Sequence, residues 1–525
     1  MNVLMLYPEF PDTFWSFKHA LKFVNKKVAN PPLGLATIAA MLPDTWNKRL
    51  VDLNVRDISE RDFAWADIAF ISAMNVQRAS TTRIIHRCKQ HGLRVVAGGP
   101  LFLGEVERFP EVDHFILNEG EITLPEFIRE YESGCPRRVY TSERYADMSL
   151  SPVPMFELLQ LNAYDSMSLQ FSRGCPFNCD FCNITAMLGH KPRLKSTRQI
   201  IAELDHMYAL GWRGNVFFVD DNFIGNKKIL KEEVLPALIA WRQGKKGYKF
   251  TTEASINMAD DPELLSLMAQ AGFITVFIGI ETPNAAGLEE CQKSQNRNRD
   301  LLENIHQIQR AGIQVMGGFI VGFDSDTPEI FARQLEFIQQ SGICTAMVGL
   351  LQAPYGTRLY RRMQTENRLT NEMSGDNADG TSNIVPLMDP YTLHTGYRKL
   401  ISDLYSPRLF YQRVRTFLKE FQLLKLSARL SWREIAAFFR LIYLIGIVGE
   451  GKREFWRFFF DVFLHSPGKL PTALTLAVYG YHFRRVSQLH LHRQPLPKAR
   501  QVPVVGEISA GRISPARPVA NPKAP

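Results

Sequence analysis

The chain has 525 residues, of which 45% are hydrophobic and 22% are charged; this balance is typical of folded proteins of several domains and excludes a largely disordered chain. No apolar stretch reaches the roughly 18 uninterrupted residues of a membrane-spanning helix. The net charge of +9 would suit nucleic acid or an anionic membrane. Because no nucleic-acid-binding motif is present, we expect no nucleic acid partner.

Cysteine usage and the first residues indicate the compartment. Seven cysteines are sparse for this length and odd in number, which argues against a disulfide framework. Residues 1–8 predict a first β-strand, not a targeting peptide. We therefore expect a cytoplasmic protein.

Residues 1–150 predict a doubly wound parallel sheet, because short apolar strands alternate with amphipathic helices. Ligands of such sheets bind beyond the carboxyl ends of the strands. Gly98, Gly99 and Pro100 follow a predicted strand, where bare backbone can approach a large flat ligand. No G-x-G-x-x-G is present, so a dinucleotide site is poorly supported. The predicted strands lie at 3–7, 49–53, 68–74, 94–97 and 114–117.

Residues 160–365 repeat the alternation six times, which predicts a partial (β/α)6 barrel. Barrel sites form at the carboxyl ends of the strands. The predicted strands lie at 168–172, 215–219, 249–254, 275–280, 314–321 and 345–351.

Cys175, Cys179 and Cys182 form a C-x3-C-x2-C run directly after the first barrel strand. Three close thiolates can hold an iron–sulfur cluster, which normally takes four cysteines. No fourth cysteine is near, so one iron would keep an open coordination position. The alternative is a structural zinc site with His190 as the fourth ligand.

This run resembles the signature of the radical S-adenosylmethionine enzymes, C-x3-C-x-aromatic-C, with Phe181 as the aromatic. The resemblance implies a [4Fe-4S] cluster whose open iron binds the amino and carboxylate groups of S-adenosylmethionine. An electron from the cluster, supplied by an external donor of the flavodoxin or ferredoxin type, then yields a 5′-deoxyadenosyl radical. The cofactor carries the chemistry, and the protein binds and orients it.

The same resemblance assigns roles to polar and small residues at later strand ends. Asp220 or Asp221 would bind the methionine ammonium, with a helix cap or turn as the alternative. Glu281 would contact ribose hydroxyls or the methionine moiety. Gly318 and Gly322 would lie against adenine, with tight barrel packing as the alternative.

The first domain resembles the cobalamin-binding domain that precedes many radical S-adenosylmethionine enzymes. It lacks D-x-H-x-x-G, the motif whose histidine ligates cobalt, so the resemblance implies cobalamin held without that histidine. The alternative is a vestigial Rossmann-like domain. The matching stretches are Pro31-Pro32-Leu33-Gly34-Leu35, Ala97-Gly98-Gly99-Pro100 and Asn118-Glu119-Gly120-Glu121.

Residues 385–490 predict a helical C-terminal domain. Its helices are basic and aromatic, with Lys452 and Arg453 flanking the run 455–460, and such helices can lie on a membrane surface. The alternative is a bundle that caps the substrate channel. Residues 494–525 predict a disordered, basic, Pro-rich tail.

The order of the three domains resembles one branch of cobalamin-dependent radical S-adenosylmethionine proteins, which includes the hopanoid C-2 methylases. The resemblance implies methylation of an unactivated carbon in a small hydrophobic substrate: a hopanoid, another polycyclic lipid or a chlorin. One alternative is radical C–H chemistry or C–C coupling without methyl transfer. Another is a zinc- or cluster-binding structural protein with no turnover. The C-terminal helices would contact the inner membrane face peripherally.

Overall fold

A computed structural model describes residues 1–245, 247–370, 373–423 and 432–493. The predicted tail at 494–525 lies outside the described residues. Within the described ranges, no helix is long and apolar enough to cross a membrane.

The first domain is a six-stranded, all-parallel sheet in the order β2-β1-β3-β4-β5-β6. Both faces are covered: Val3 and Met5 pack into one apolar cluster, and Leu4 and Leu6 pack into another. The doubly wound prediction is confirmed, and the structure adds a short sixth strand beside β5. The strands are β1 Asn2–Tyr7, β2 Asn47–Asp52, β3 Ile68–Ser72, β4 Arg94–Gly98, β5 His114–Ile116 and β6 Val139–Tyr140; the helices are α1 Lys18–Val24, α2 Leu33–Met41, α3 Glu60–Trp65, α4 Arg78–Gln90 and α5 Gly120–Glu132.

The second sheet has six parallel strands in the order β14-β13-β12-β11-β10-β7, so each strand lies beside the next one in sequence. This confirms the partial barrel. The first strand ends at Leu169 rather than at residue 172, because Ser172 and Arg173 leave the sheet and pair with Leu194 and Arg193. The strands are β7 Ser166–Leu169, β8 Ser172–Arg173, β9 Arg193–Leu194, β10 Asn215–Phe218, β11 Lys249–Glu253, β12 Phe273–Glu281, β13 Gln314–Val321 and β14 Ala346–Leu350.

The helices of this domain cover the outer face of the barrel sheet. Their apolar sides carry the buried leucines, isoleucines and methionines of the main core, as amphipathic helices on a sheet do. They are α6 Ile184–Leu188, α7 Thr197–Ala209, α8 Lys227–Ile229, α9 Leu235–Arg242, α10 Pro262–Ala271, α11 Ala285–Glu290, α12 Leu301–Arg310, α13 Ile330–Ser341 and α14 Arg358–Thr365.

The C-terminal region is helical, as predicted, and covers the free edge of the barrel sheet. The Tyr397 hydroxyl donates to the carbonyl of Val348, and the Tyr405 hydroxyl donates to that of Ala346, so the first helix of this region runs along β14. The helices are α15 Pro390–Leu404, α16 Pro407–Glu420, α17 Trp432–Leu441, α18 Lys452–His465 and α19 Leu470–Arg493, with a π-helical turn at Ile442–Ile447 after α17.

The N-terminal segment between β1 and α1 packs against the last helix. Phe14 stacks on Phe483 with ring centroids 4.1 Å apart, and a His482 ring nitrogen lies 3.0 Å from the Phe14 carbonyl oxygen. Trp15 reaches the barrel interior, where its ring meets Phe277 edge-on at 5.3 Å. Segments from both ends of the chain therefore close the barrel together.

Candidate active site

The three cysteines lie in a loop whose base is closed by the β8–β9 pair. Gly174 stands at this base with φ +95°, and a Cβ there would lie 2.9 Å from the carbonyl oxygens of Gly189 and Lys191. Only glycine fits such a position. The Cys175 amide donates to the Gly189 carbonyl at 3.2 Å, so the loop leaves the barrel in one fixed direction.

Asp220 anchors the start of this loop. It has no exposed surface, and its carboxylate accepts hydrogen bonds from the Phe171 amide at 3.0 Å and from the Ser172 amide and hydroxyl. Burial raises the pKa of Asp220 to about 7, although these hydrogen bonds act to lower it. These contacts give Asp220 a positioning task, so Asp221 is the better-placed member of the pair for the predicted ammonium contact.

The environment of the three thiols fits an iron–sulfur cluster. Burial raises the pKa of Cys175 and raises that of Cys182 to about 12, so these thiols ionise at neutral pH only with a strong cationic partner such as iron. Two amide groups are aimed at sulfur: Asn222 Nδ2 lies 3.9 Å from Cys175 Sγ, and Gln295 Nε2 lies 3.7 Å from Cys179 Sγ. Hydrogen bonds to sulfur are a means of tuning such clusters.

The zinc alternative finds no support in this geometry. Among the described residues, no three His, Cys, Asp or Glu side chains are grouped as ligands of one metal ion. His190, the proposed fourth ligand, is exposed to solvent. A cluster differs from a single ion in that each thiolate binds a different iron.

Phe181 and Asp180 fasten the tip of the loop. The Phe181 ring packs against an apolar cluster that includes Cys291 and Leu359. The Asp180 carboxylate lies 2.5 Å from the Arg358 guanidinium, and its amide donates to the Cys291 carbonyl at 3.1 Å. The aromatic of the motif therefore holds the loop on the turn after β14; whether it also touches a cofactor stays a prediction.

Glu281 and Lys293 form a buried ion pair at the carboxyl end of β12. Lys293 Nζ lies 2.6 Å from Glu281 Oε1, and Glu281 has φ +66°, a strained value for this residue type. Gly279 makes room for the pair, because a Cβ there would lie 2.3 Å from Glu281 Oε1 and 2.8 Å from Lys293 Nζ. Burial lowers the pKa of Lys293, but the charges of Glu281 and Cys179 outweigh it and the net shift is upward. The ammonium thus stays charged beside the thiols.

Asp221 and Glu253 add two carboxyl groups at the ends of β10 and β11. Burial raises the pKa of Asp221 to about 6. Burial and the negative charges of Asp221 and Asp220 together raise the pKa of Glu253 to about 8. Both residues are half-buried. Groups of this kind can accept hydrogen bonds from ammonium or hydroxyl groups of a ligand.

Two amide oxygens beside the ion pair lack partners. Asn296 Oδ1 and Gln295 Oε1 are buried without a hydrogen bond, although Asn296 Nδ2 donates to the carbonyls of Gly279 and Ile280 at 3.0 Å. Buried polar atoms normally have partners. A ligand with amino or hydroxyl groups, such as S-adenosylmethionine, would satisfy them.

The two barrel glycines are explained by packing in this structure. A Cβ on Gly318 would lie 2.7 Å from the Phe277 ring, which covers it. Gly322 has φ +100°, and its amide donates to Asp326 Oδ2 at 2.9 Å. The geometry thus favours the packing alternative, and an adenine contact at either glycine stays a prediction.

Gly98, Gly99 and Pro100 lie at the carboxyl edge of the first sheet, half-buried. A Cβ on Gly98 would lie 2.8 Å from the Ile116 carbonyl oxygen, and one on Gly99, where φ is +97°, would lie 2.8 Å from that of Ala73. Glycine is therefore required for strand packing, and it leaves bare backbone at the edge. Such an edge suits a large flat cofactor, and this is where residues of the chain would hold cobalamin.

The carboxyl edges of the two sheets face each other. Tyr355, after β14, lies against Gly104 of the first domain, where an added Cβ would meet its ring at 2.6 Å. The loop at Gly375 likewise meets Asn75, after β3. A cofactor held on the first edge would therefore lie opposite the cysteine loop.

A buried charge network, which we call the clasp, joins the two edges and consists of Glu119, Glu121, Arg173 and Arg193. Arg173 donates to the Glu121 carboxylate through Nη1 and Nη2, each at 2.9 Å. Glu119 accepts from Arg173 at 3.0 Å and from Arg193 at 2.9 Å. Because Arg173 and Arg193 are the paired residues of β8 and β9, the clasp ties the base of the cysteine loop to the first domain.

Sequence reasoning missed Glu253, Lys293 and the clasp. Glu253 lies near the end of the predicted strand 249–254, and Asp220 directly follows the predicted strand 215–219, so this similar position could have identified Glu253. Lys293 follows α11 in a loop, and no pattern marks such a residue. For Glu119 and Glu121 the sequence offers only the resemblance to a cobalamin-binding domain.

Three protein-family models match the chain. The B12 binding domain matches residues 24–128, the Radical SAM superfamily matches residues 169–338, and a domain of unknown function, DUF4070, matches residues 357–494.

Two curated relatives match nearly end to end. An uncharacterized methyltransferase of Synechocystis sp. is 38% identical over 93% of this chain and 92% of its own length. The hopanoid C-2 methylase of Rhodopseudomonas palustris is 35% identical over 92% of both chains. Among solved structures, the cobalamin-dependent S-adenosylmethionine radical enzyme OxsB, with aqua-cobalamin and S-adenosylmethionine bound, matches 94% of this chain and 80% of its own with a TM-score of 0.60 at 14% identity, which shows a shared fold.

The fold and the site define a radical S-adenosylmethionine enzyme with a cobalamin-binding domain. The chain belongs to the cobalamin-dependent radical S-adenosylmethionine methyltransferase family that contains the hopanoid C-2 methylase. Its cofactors are a [4Fe-4S] cluster, S-adenosylmethionine and cobalamin.

Proposed function

We propose that the protein methylates an unactivated carbon of a polycyclic lipid of the hopanoid class. The observation that carries the proposal is the nearly end-to-end similarity to a hopanoid C-2 methylase, which includes the helical C-terminal region. When bound, the cofactors supply the radical that removes a hydrogen atom and the methyl group that replaces it. An external reductant of the flavodoxin or ferredoxin type would supply the electrons.

The barrel interior supports a hydrophobic substrate. Trp15, Phe277 and Met347 form an apolar floor in which the Trp15 indole N–H lies 3.1 Å from Met347 Sδ. Phe277 precedes Gly279 by two residues on the same strand, so it shares the face that carries the Glu281–Lys293 pair. A substrate held between this floor and the first domain would meet apolar surface on one side and the polar groups at the strand ends on the other.

The residues of the chain divide this work. Asp221, Glu281 and Asn296 would bind the polar groups of S-adenosylmethionine, while Asp220 keeps the cysteine loop in position. The apolar floor would orient the substrate and exclude water from the reacting carbon, as closed sites do for reactive intermediates.

The test is product formation by anaerobically reconstituted protein. S-adenosylmethionine with a deuterated methyl group, a reductant and either a hopanoid or a chlorin are supplied, and products are analysed by mass spectrometry. We expect label in the hopanoid and none with the Cys179→Ala variant. Label only in the chlorin would overturn the substrate class. Substrate-dependent 5′-deoxyadenosine with an unlabelled, altered product would establish radical chemistry without methyl transfer instead.

A further inference from the structure

Exposed apolar side chains are concentrated on the hairpin formed by α17, its π-helical turn and α18. Phe439 is 67% exposed and Leu464 is 70% exposed. Contiguous exposed apolar surface marks an interaction site more often than scattered residues do. We call this surface the apolar face; its members are Ile435, Phe439, Tyr443, Ile447, Val448, Phe460, Phe463 and Leu464.

The sequence spacing builds this face. Ile435, Phe439, Tyr443 and Ile447 recur every four residues, so they form one stripe along the helix. Four residues slightly exceed one α-helical turn, and the wider π-helical turn at Ile442–Ile447 offsets the drift. The opposite side, which includes Leu441 and Ile445, is buried.

The hairpin is fixed to the rest of the molecule, so the apolar face is preformed. The Trp456 indole donates to the Gly446 carbonyl at 2.9 Å and holds the two arms together. On the inner side, Phe458 stacks on Tyr411 at 4.9 Å.

Cationic side chains border the apolar face. Lys452, Arg453 and Arg457 are exposed on α18, whereas the guanidinium of Arg440 on α17 donates to the Phe23 carbonyl at 3.1 Å. We call Lys452, Arg453 and Arg457 the basic rim. Asp461, an acid of the same hairpin, lies 2.5 Å from Arg415 and is thereby neutralised.

We propose that the apolar face and the basic rim form a docking surface for a membrane that contains anionic lipid. The apolar side chains would enter the boundary between headgroups and acyl chains, and the basic rim would contact lipid phosphates. The protein would lie on the membrane without crossing it. A second copy of the chain is a weaker candidate, because it would bring two basic rims together. The docking proposal rests on the proposed function in one respect: a protein docked on the membrane could take a lipid substrate from it.

The experiment is sedimentation of reconstituted holoprotein with vesicles of phosphatidylcholine alone or mixed with phosphatidylglycerol. We expect binding to the mixed vesicles that weakens as salt is added, because exposed charges are screened. The double variant Phe439→Ser/Leu464→Ser should bind about ten-fold less tightly or worse, since it removes two large apolar groups. The double variant Arg453→Glu/Arg457→Glu should lose the preference for phosphatidylglycerol.

Two matched controls separate docking from general surface effects. Leu150 is 69% exposed on a different part of the molecule, so Leu150→Ser should bind like the parent, as should Arg83→Glu on α4. Equal binding of the apolar variants and the parent would overturn the proposal. So would dimerisation in solution that the Phe439→Ser/Leu464→Ser change abolishes while vesicles stay unbound. Sedimentation requires no turnover, so failure of docking and failure of methylation are separate results.

Discussion

Glu119 and Arg173 face each other across the boundary between the two sheets, with Glu119 Oε1 3.0 Å from Arg173 Nη1. Arg173 stands two residues before the first cysteine, and Glu119 follows the fifth strand of the first domain. The contact therefore links the base of the cysteine loop to the edge that would hold cobalamin. It fixes the relative position of two cofactor sites that belong to different domains.

Removing one acid of the clasp tests this role. Glu121→Gln leaves Arg173 buried with a weakened partner, and loss of one member of a buried pair costs about 3–5 kcal/mol. We expect a lower thermal midpoint and a lower ratio of methylated product to 5′-deoxyadenosine, because the two sites lose their register. Glu126→Gln on the same helix, where Glu126 pairs with Arg137 near the surface, should leave the ratio unchanged. An unchanged ratio in Glu121→Gln would show that the clasp only stabilises.

Asp220 should control cluster loading. Asp220→Ala leaves the amides of Phe171 and Ser172 buried without acceptors, at about 1–3 kcal/mol each. We expect less iron and sulfide per chain after anaerobic reconstitution. Asp220→Asn keeps one acceptor oxygen and should recover part of the loading. Full loading of Asp220→Ala with weaker binding of S-adenosylmethionine alone would instead assign Asp220 to the ligand.

Lys293 should set the reduction potential of the cluster. A positive charge near the thiolates favours the reduced, more negative state. Lys293→Met should therefore shift the midpoint potential to a more negative value in a titration followed by electron paramagnetic resonance. Lys293→Arg keeps the charge and should have a potential close to that of the parent. The exposed Lys191 supplies the control, and a shift of equal size in Lys191→Met would contradict the assignment.

Glu253 should make stability fall as pH rises. The pKa of Glu253 is about 8 in the folded protein, compared with the ordinary value of 4.5 that applies to the unfolded chain. The folded state therefore binds the proton more tightly. The resulting stability is fully present below about pH 4.5 and is lost as pH rises toward 8. Because a tenfold change in proton affinity corresponds to about 1.4 kcal/mol, Glu253→Gln should remove a few kcal/mol of this pH dependence. The measurement is the thermal midpoint between pH 5 and 8, which should vary less in the variant. Glu132→Gln, on the surface, should keep the slope of the parent.

The sequence predicted those parts of the molecule that depend on local pattern. Apolar runs separated by amphipathic helices identified both parallel sheets, because buried strands and the helices that cover them have different periods. The spacing of Cys175, Cys179 and Cys182 identified the cluster loop, since ligands of one cluster lie close in sequence.

What escaped prediction depends on contacts between distant residues. Lys293 reaches the thiols only because the chain after α11 folds back on the barrel mouth. Arg173 and Glu119 are 54 positions apart, and nothing in either segment identifies the other as its partner. Trp15 is 262 positions from Phe277 in sequence, yet the two rings meet in the barrel. Such contacts follow from tertiary packing, which no window of sequence contains.

The contact between Phe14 and α19 affects the order in which parts of the protein fold. Each barrel strand lies beside the next one in sequence, so the sheet can grow as the chain is synthesised. The His482–Phe14 contact, by contrast, joins residues 468 positions apart and cannot form until residue 482 has been synthesised. Contacts of such long range form slowly. We therefore expect α19 to dock late, so that the barrel interior stays open to solvent, and to cluster delivery, until α19 has been synthesised.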